Sequence, residues 1–257
     1  MGHSPDIIIS KRLTWLLRHG DPAKTGLRIR SDGFTEVDEI LEQVGISFDR
    51  LCYIVENDPK GRFKIVCEDG INLIRANQGH SLQIIDDDKL LSLINVDDKS
   101  DMIQRLIVHG TYLDKWQTIK ENGLSRMSRS HIHFVPAKNF KLESNKQTSK
   151  LGVENLSIDQ IAKEMCAFRC KSGIRPTSEV LIFIDMANCI SEKMEYKFYT
   201  SENNVILTRG NQQGLICPEM FLLCIDIKNG EVLLNNISDE QTITEVVRFI
   251  INSMRSY

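Results

Sequence analysis

The hydrophobic period changes once along this chain, and that change fixes the class of fold open to it. The first part reads with a helical period. Ile9, Leu13, Leu16 and Leu17 fall at i, i+4, i+7 and i+8, one face of a helix. Gly20 stops that helix and Asp21-Pro22 seals the break. The string DGFTEVDEILEQVG predicts a second helix with Val37, Ile40, Leu41 and Val44 as its buried stripe. Thr35 and Asp38 form a capping-box-like start for it. SFDRLCYIVENDPKG predicts a third helix around Leu51, Ile54 and Val55. RFKIVCEDGINLIRA then alternates Phe63, Ile65 and Cys67 around Asp69-Gly70, which predicts a hairpin. Short helices followed by a hairpin is the order of a winged-helix unit.

An acidic, polar stretch ending near residue 98 makes a boundary. Beyond it come short β-branched or apolar runs bounded by Gly, Asn and Pro: RLIVHGTY, SHIHFVP, EVLIFIDMA, NVILTRG and MFLLCIDIKNGEVLL. LDKWQTIKENGL predicts a helix closed by Gly123, and SDEQTITEVVRFIINSM a last helix with Ser238 as its N-cap. The expected class is α+β. Residues 137–171 are rich in Lys, Ser and Asn around one candidate helix, IDQIAKEMCAF, and are expected to form a removable insertion or long loop.

Charge is unevenly spread over the 257 residues. Residues 1–98 carry a net −5, residues 99–175 a net +7 and residues 176–257 a net −5. The whole molecule is therefore no polyanion magnet, although its middle could face one. The seven cysteines are scattered with no CxxC pair, which argues against a disulfide framework and a zinc site and suits a reduced thiol pool, cytoplasmic or nuclear. No apolar run approaches the roughly 20 residues of a membrane span. The opening MGHSPDIII has too short an apolar stretch for a signal peptide.

Arg18-His19, at the end of the first helix, is followed downstream by Arg62 in GRFKI and Arg129 in SRSHIHF. A guanidinium offers a fixed fork of donors that matches phosphate oxygens, and a histidine can move a proton near neutrality. Each string alone is weak, because an arginine near a helix C-terminus also simply complements the helix dipole. Together they are specific. SKRLTWLLRHG, ENDPKGRFKI, IRANQGHS, VHGTY, MSRSHIHF, SGIR, LIFID and NNVILT occur in that order. The chain resembles the RNA 2′-phosphotransferase family, whose members finish transfer-RNA splicing by moving an internal 2′-phosphate onto NAD. The resemblance runs from about Ser10 to about Gly214.

The resemblance implies a winged-helix N-terminal lobe, residues 1–98, that takes the RNA 2′-phosphate. It implies a β-rich C-terminal lobe of the ADP-ribosyltransferase type, residues 99–257, that takes NAD. By match to the family strings, Arg18, His19, Arg62 and Arg129 are the catalytic set. His109, Gly110, Thr111, Ser128, His133, Ser172, Gly173, Arg175 and Asn203 fall on the cofactor side. NAD is implied as a consumed co-substrate and no metal is implied, because the arginines supply the positive charge. His131 and His133 share a strand face, but no third ligand of suitable spacing accompanies them. Expected partners are 2′-phosphorylated tRNA or RNA and NAD, with no membrane, and the chain is expected to be a monomer.

Two departures stand out. Thr200 occupies a position where the family often has Arg, which puts one basic contact near the cofactor in doubt. The 137–171 segment is longer than the usual connection. Among other readings, a two-histidine phosphoesterase lacks its second H-x-[ST] string. A winged-helix nucleic-acid binder would want a basic third helix, and Arg50 there is outnumbered by Asp49, Glu56 and Asp58. An ADP-ribosyltransferase acting on nucleic-acid terminal phosphates is the alternative enzyme, and it gives Arg18-His19 no purpose.

Overall fold

The computed structural model describes residues 5–97, 100–140, 142–144, 157–166, 168–170, 174–191 and 196–255. It is an α+β protein divided into two compact units. Unit 1 comprises Met1–Leu93, Ser128–Ser130 and Tyr199–Asn203; unit 2 comprises the rest.

In unit 1, helix α1 (Pro5–His19) buries Leu13, Leu16 and Leu17 completely. Gly20 closes it by donating its N–H to the Leu16 carbonyl at 3.2 Å. Helix α2 (Val37–Val44) starts differently from the sequence expectation. Thr35 lies in strand β1 (Thr35–Glu36), paired opposite Ile74, so its backbone is committed to a sheet and cannot cap. Its hydroxyl donates to Glu39 Oε2 at 2.9 Å instead. Helix α3 (Phe48–Glu56) is capped by Ser47, which accepts from the Arg50 N–H. Strands β2 (Phe63–Glu68) and β3 (Ile71–Ala76) form the expected hairpin, in the order β1-β3-β2. Asp69 and Gly70 both have positive φ, 51° and 81°, as a two-residue hairpin turn matching the strand twist requires. The pair Tyr199–Thr200 and Ser92–Leu93 completes this unit.

Unit 2 is built on an antiparallel sheet. Its strands are β4 (Leu106–Thr111), β5 (Ile132–Pro136), β6 (Val180–Asp185), β7 (Ile206–Thr208), β8 (Phe221–Asp226) and β9 (Glu231–Asn235). They run in the order β9-β8-β6-β4-β5-β7. Every residue of β6 is buried, because the sheet is covered on both faces, so VLIFID reads as one apolar run rather than an alternation. Leu181 and Phe183 point into one core with helix α5 (Ile158–Met165) and helix α6 (Glu240–Arg255). Val180, Ile182 and Ile184 point into the other, with Trp116 and Ile119 of helix α4 (Leu113–Asn122).

Two expectations are corrected here. The last helix begins at Glu240, and Asp239 rather than Ser238 caps it, its Oδ1 accepting from the Thr242 N–H at 2.7 Å. Within the 137–171 segment, residues 157–166 are not loop. Helix α5 has a full capping box from Ser157 and Gln160, and it puts Ile158, Ile161, Ala162 and Met165 into the core. Lys163 is exposed on its outer face.

We expect excision of residues 157–166 to abolish folding of unit 2. Ile161→Ala should cost about 2–5 kcal/mol, because Ile161 is fully buried. Urea unfolding checks this; a loss under 1 kcal/mol would return the segment to a peripheral role.

Candidate active site

Unit 1 gathers Arg18, His19, Arg62, Ser128, Arg129 and Asn203, although they span 185 positions of sequence. The arrangement starts from α1, whose last turn presents Arg18 and His19. The Arg18 guanidinium lies over Gly79, and a Cβ there would sit 3.3 Å from Arg18 Nη1. Gly79 also has φ +83°, a conformation that side chains strain and glycine adopts freely. Arg18 Nε is buried with no hydrogen-bond partner among the described residues. Burial first, and then the neighbouring Arg62 charge, pull the Arg18 guanidinium down to about 10, with Asp58 opposing.

Arg62 is held by Asp58. The Asp58 carboxylate accepts from the Arg62 backbone N–H at 2.6 Å, from Nε at 3.1 Å and from Nη2 at 2.5 Å. Burial pushes the Asp58 carboxyl up, but the Arg62 bonds and charge outweigh it and hold the group below its usual range. The loop carrying both is pinned from above and below. Asn77 Nδ2 donates to the Gly61 carbonyl at 2.7 Å, and Asn203 Nδ2 donates to the Lys60 carbonyl at 2.9 Å. The Asn203 amide oxygen accepts from Ser201 Oγ, so this side chain is engaged at both ends. Thr200 pairs opposite Ser92 and puts no charge at its position.

The segment Gly79–Ser81 ties the remaining members together. The Ser81 N–H donates to the Arg18 carbonyl at 2.9 Å, and its hydroxyl lies 2.9 Å from His19 Nδ1. His19 is held below its ordinary value by partial burial and then by Arg18, so it is neutral at pH 7. The His80 carbonyl accepts from Ser130 Oγ at 2.6 Å, one residue from Arg129. Arg129 and Ser128 are exposed. The His80 ring is buried, and neither ring nitrogen has a hydrogen-bond partner among the described residues. Burial first, then Arg18, Arg75 and His19, push it down to about 3. It is a neutral spacer beneath the cations.

Unit 2 holds His109, Gly110, Thr111, His133 and Arg175; Ser172 and Gly173 lie outside the described residues. His109 Nδ1 lies 2.8 Å from the His133 carbonyl. A carbonyl only accepts, so Nδ1 carries the proton. Gly110 is packed beneath the loop 174–178, where a Cβ would fall 2.2 Å from Ile174 Cγ2 and 2.8 Å from Ser178 Oγ. The Thr111 carbonyl accepts from the Glu179 N–H at 2.8 Å. Arg175 reaches the Tyr112 hydroxyl at 3.5 Å, which also meets Thr177 Oγ1 at 3.1 Å. Among the described residues no group of three or more His, Cys, Asp or Glu is placed to hold a metal ion, and no helix is long and apolar enough to cross a membrane.

Sequence reasoning missed Asp58, Ser130 and Tyr112, and it gave Ser81 no specific role. Only Asp58 had a local signal, its i, i+4 spacing to Arg62.

Comparison with known proteins fits this arrangement. The family model described as RNA 2'-phosphotransferase, Tpt1 / KptA family, matches residues 4–210. The chain is 35% identical to tRNA 2'-phosphotransferase 1 of Danio rerio over 223 residues, 85% of this chain and 84% of that protein. It is 31% identical to tRNA 2'-phosphotransferase 1 of Mus musculus over 93% of this chain and 85% of that one. For the Homo sapiens protein of the same name the identity is 30%, over 92% and 82%. The chain belongs to the RNA 2′-phosphotransferase family and is a transferase.

Two predictions follow from the hydrogen-bonded frame. Ser81→Ala should lower kcat by roughly tenfold by freeing the His19 ring, and Ser81→Thr, which keeps the hydroxyl, should restore most of it. Steady-state kinetics check this, and an unchanged kcat in Ser81→Ala would show that His19 needs no such brace. Because His80 is depressed from 6.5 to about 3, the unfolded chain binds a proton that the folded one refuses between those values. Stability should therefore rise with pH across that window and level off above it. The melting temperature of His80→Asn should vary less between pH 4 and 6.5 than that of the wild type.

Proposed function

We propose that this enzyme removes the internal 2′-phosphate of spliced tRNA and transfers it to NAD in two steps. The observation that carries the reading is the pair of neighbouring guanidiniums, Arg18 and Arg62, that share one carboxylate, with Arg18 Nε left unpartnered in a buried position. Such a site holds positive charge that only an anion can complete, and a dianionic phosphate suits a fork of donors.

In the first step the RNA 2′-phosphate attacks the anomeric carbon of the nicotinamide ribose and nicotinamide leaves. Arg18 and Arg62 hold and aim the phosphate. In the second step the ribose 2″-hydroxyl attacks phosphorus. The RNA 2′-oxygen leaves as a hydroxyl, together with ADP-ribose 1″,2″-cyclic phosphate. Neutral His19 engages the phosphate or the attacking hydroxyl, with its orientation set by Ser81. Arg129 supports the charge that builds on phosphorus.

NAD fits the donor set of unit 2. Ser178 Oγ is a buried hydroxyl without a partner among the described residues, packed against Gly110 beside His109. Arg175 supplies a cation beside Tyr112. We read His109, Gly110, Thr111, Ser128, His133, Ser172, Gly173, Arg175 and Asn203 as the cofactor side. Asn203 acts there by bracing the Arg62 loop. On this reading residues 1–98 are a winged-helix lobe and residues 99–257 an ADP-ribosyltransferase-type lobe, and the protein works as an intracellular monomer.

Turnover of 2′-phosphorylated RNA should require NAD and persist in excess chelator. Release of inorganic phosphate without NAD would overturn the reading. In single-turnover reactions Arg129→Ala should slow the second step by about 10²–10³-fold, more than the first. The 2′-phospho-ADP-ribosylated RNA should then accumulate on a gel. Equal loss of both steps, with no intermediate at any time, would remove Arg129 from the second step.

A further inference from the structure

Helix α1 turns its inner face to the core through Leu13, Leu16 and Leu17. Its opposite face carries Ile8, Arg12, Trp15 and His19, at i, i+4, i+7 and i+11. This face is exposed and mixes apolar with basic side chains: Ile8 is 59% and Trp15 45% accessible. A lone exposed tryptophan would carry no meaning. Here three observations coincide. Trp15 stands one helical turn before His19, a separation of about 5–6 Å between Cβ atoms. The Arg12 guanidinium lies over its ring, 5.1 Å from the centroid. Beyond Asp6, which is paired with Arg50, the helix has no acidic side chain, while Lys11, Arg12 and Arg18 are basic.

We propose that Trp15 is a stacking platform for the base of the nucleotide next to the one that bears the 2′-phosphate, with Arg12 beside it to meet the backbone phosphate. This rests on the reading of the site given above. The chemistry is that of single-stranded RNA recognition. Bases splayed from their neighbours stack on aromatic rings and guanidinium planes, while fixed cations track the phosphates. The spacing suits it, because Trp15 and His19 stand apart by a distance on the scale of one nucleotide step. The contact reads the flat face of a base rather than its edge. It therefore secures the strand around the reacting nucleotide with little dependence on sequence.

The test uses the full chain, NAD and short 2′-phosphorylated oligoribonucleotides, with either neighbour of the phosphorylated nucleotide intact or abasic. Trp15→Ala should raise KM for the intact oligonucleotide by about tenfold. An abasic neighbour on one side should raise the wild-type KM by a similar factor. The two changes together should do little more than either alone. Trp15→Tyr should restore most of the loss. There are two tryptophans, and Trp116 is buried. The fluorescence of wild type minus that of Trp15→Phe should therefore fall as intact oligonucleotide is added, and fall less with the abasic one. Multiplying effects, or a difference fluorescence that RNA leaves unchanged, would overturn the stacking contact while turnover itself stands. Failure of every 2′-phosphorylated RNA to react with NAD would instead remove the parent reading. Loss of fluorescence with an apolar peptide but not with RNA would make the stripe a protein-docking face.

Discussion

The proximity of two guanidiniums around one buried carboxylate is the constraint on which the rest of unit 1 depends. Arg18 and Arg62 repel, and burial raises the cost of the Arg18 charge. Asp58, whose side chain is 1% exposed, offsets part of this through three bonds to Arg62. It does not offset all of it, since the Arg18 guanidinium remains depressed and its Nε unpartnered. A site that is under-compensated when empty gains most when a dianion enters it. The charge imbalance is thus what an anion placed here would relieve.

Holding such a site open requires rigid backbone, and the surrounding hydrogen bonds run mostly to carbonyl groups. Asn77 and Asn203 brace the Arg62 loop, and Ser81 braces the end of α1. Ser130 fixes the short Ser128–Ser130 segment to the His80 carbonyl. His80 itself completes the electrostatic design. A charged imidazole among Arg18, Arg75 and His19 would add to the repulsion, and burial keeps the ring neutral. Its size fills space where Gly33 leaves room, with His80 Nε2 3.3 Å from where a Gly33 Cβ would be. The cluster is therefore assembled from cations, an uncharged filler and one shared carboxylate.

What the sequence made legible follows the range of the interaction. Helix α1, the β2-β3 hairpin and the buried β6 run depend on local periodicity and turn chemistry, and each was readable before any coordinates. Thr35 misled because a capping signal is local while its pairing with Ile74 is not. Helix α5 was legible as a candidate helix, but its place in the core was not, because the flanking Lys-, Ser- and Asn-rich string made the stretch read as an insertion. Recognition of the ordered strings located Arg18, His19, Arg62 and Arg129, but it could not show what holds them. The Ser130 bond to His80 joins positions 50 residues apart, and the Ser81 contact with His19 joins positions 62 apart. No pattern in a single sequence encodes such pairs.

The two faces of α1 then explain how one short helix serves both fold and chemistry. Its leucines are fully buried and fix its axis, which leaves the opposite stripe free to evolve for ligand. Because Arg18 and His19 end the helix, their backbone direction is set by that core, while Gly20 releases the chain immediately beyond. The dipole at this C-terminus favours cations, so the position that stabilises Arg18 and His19 electrostatically is the same one that aims them outward. Placing Arg18 and His19 at the end of α1 therefore comes at little cost in stability, and the electrostatic cost is carried instead by the Arg18–Arg62–Asp58 cluster.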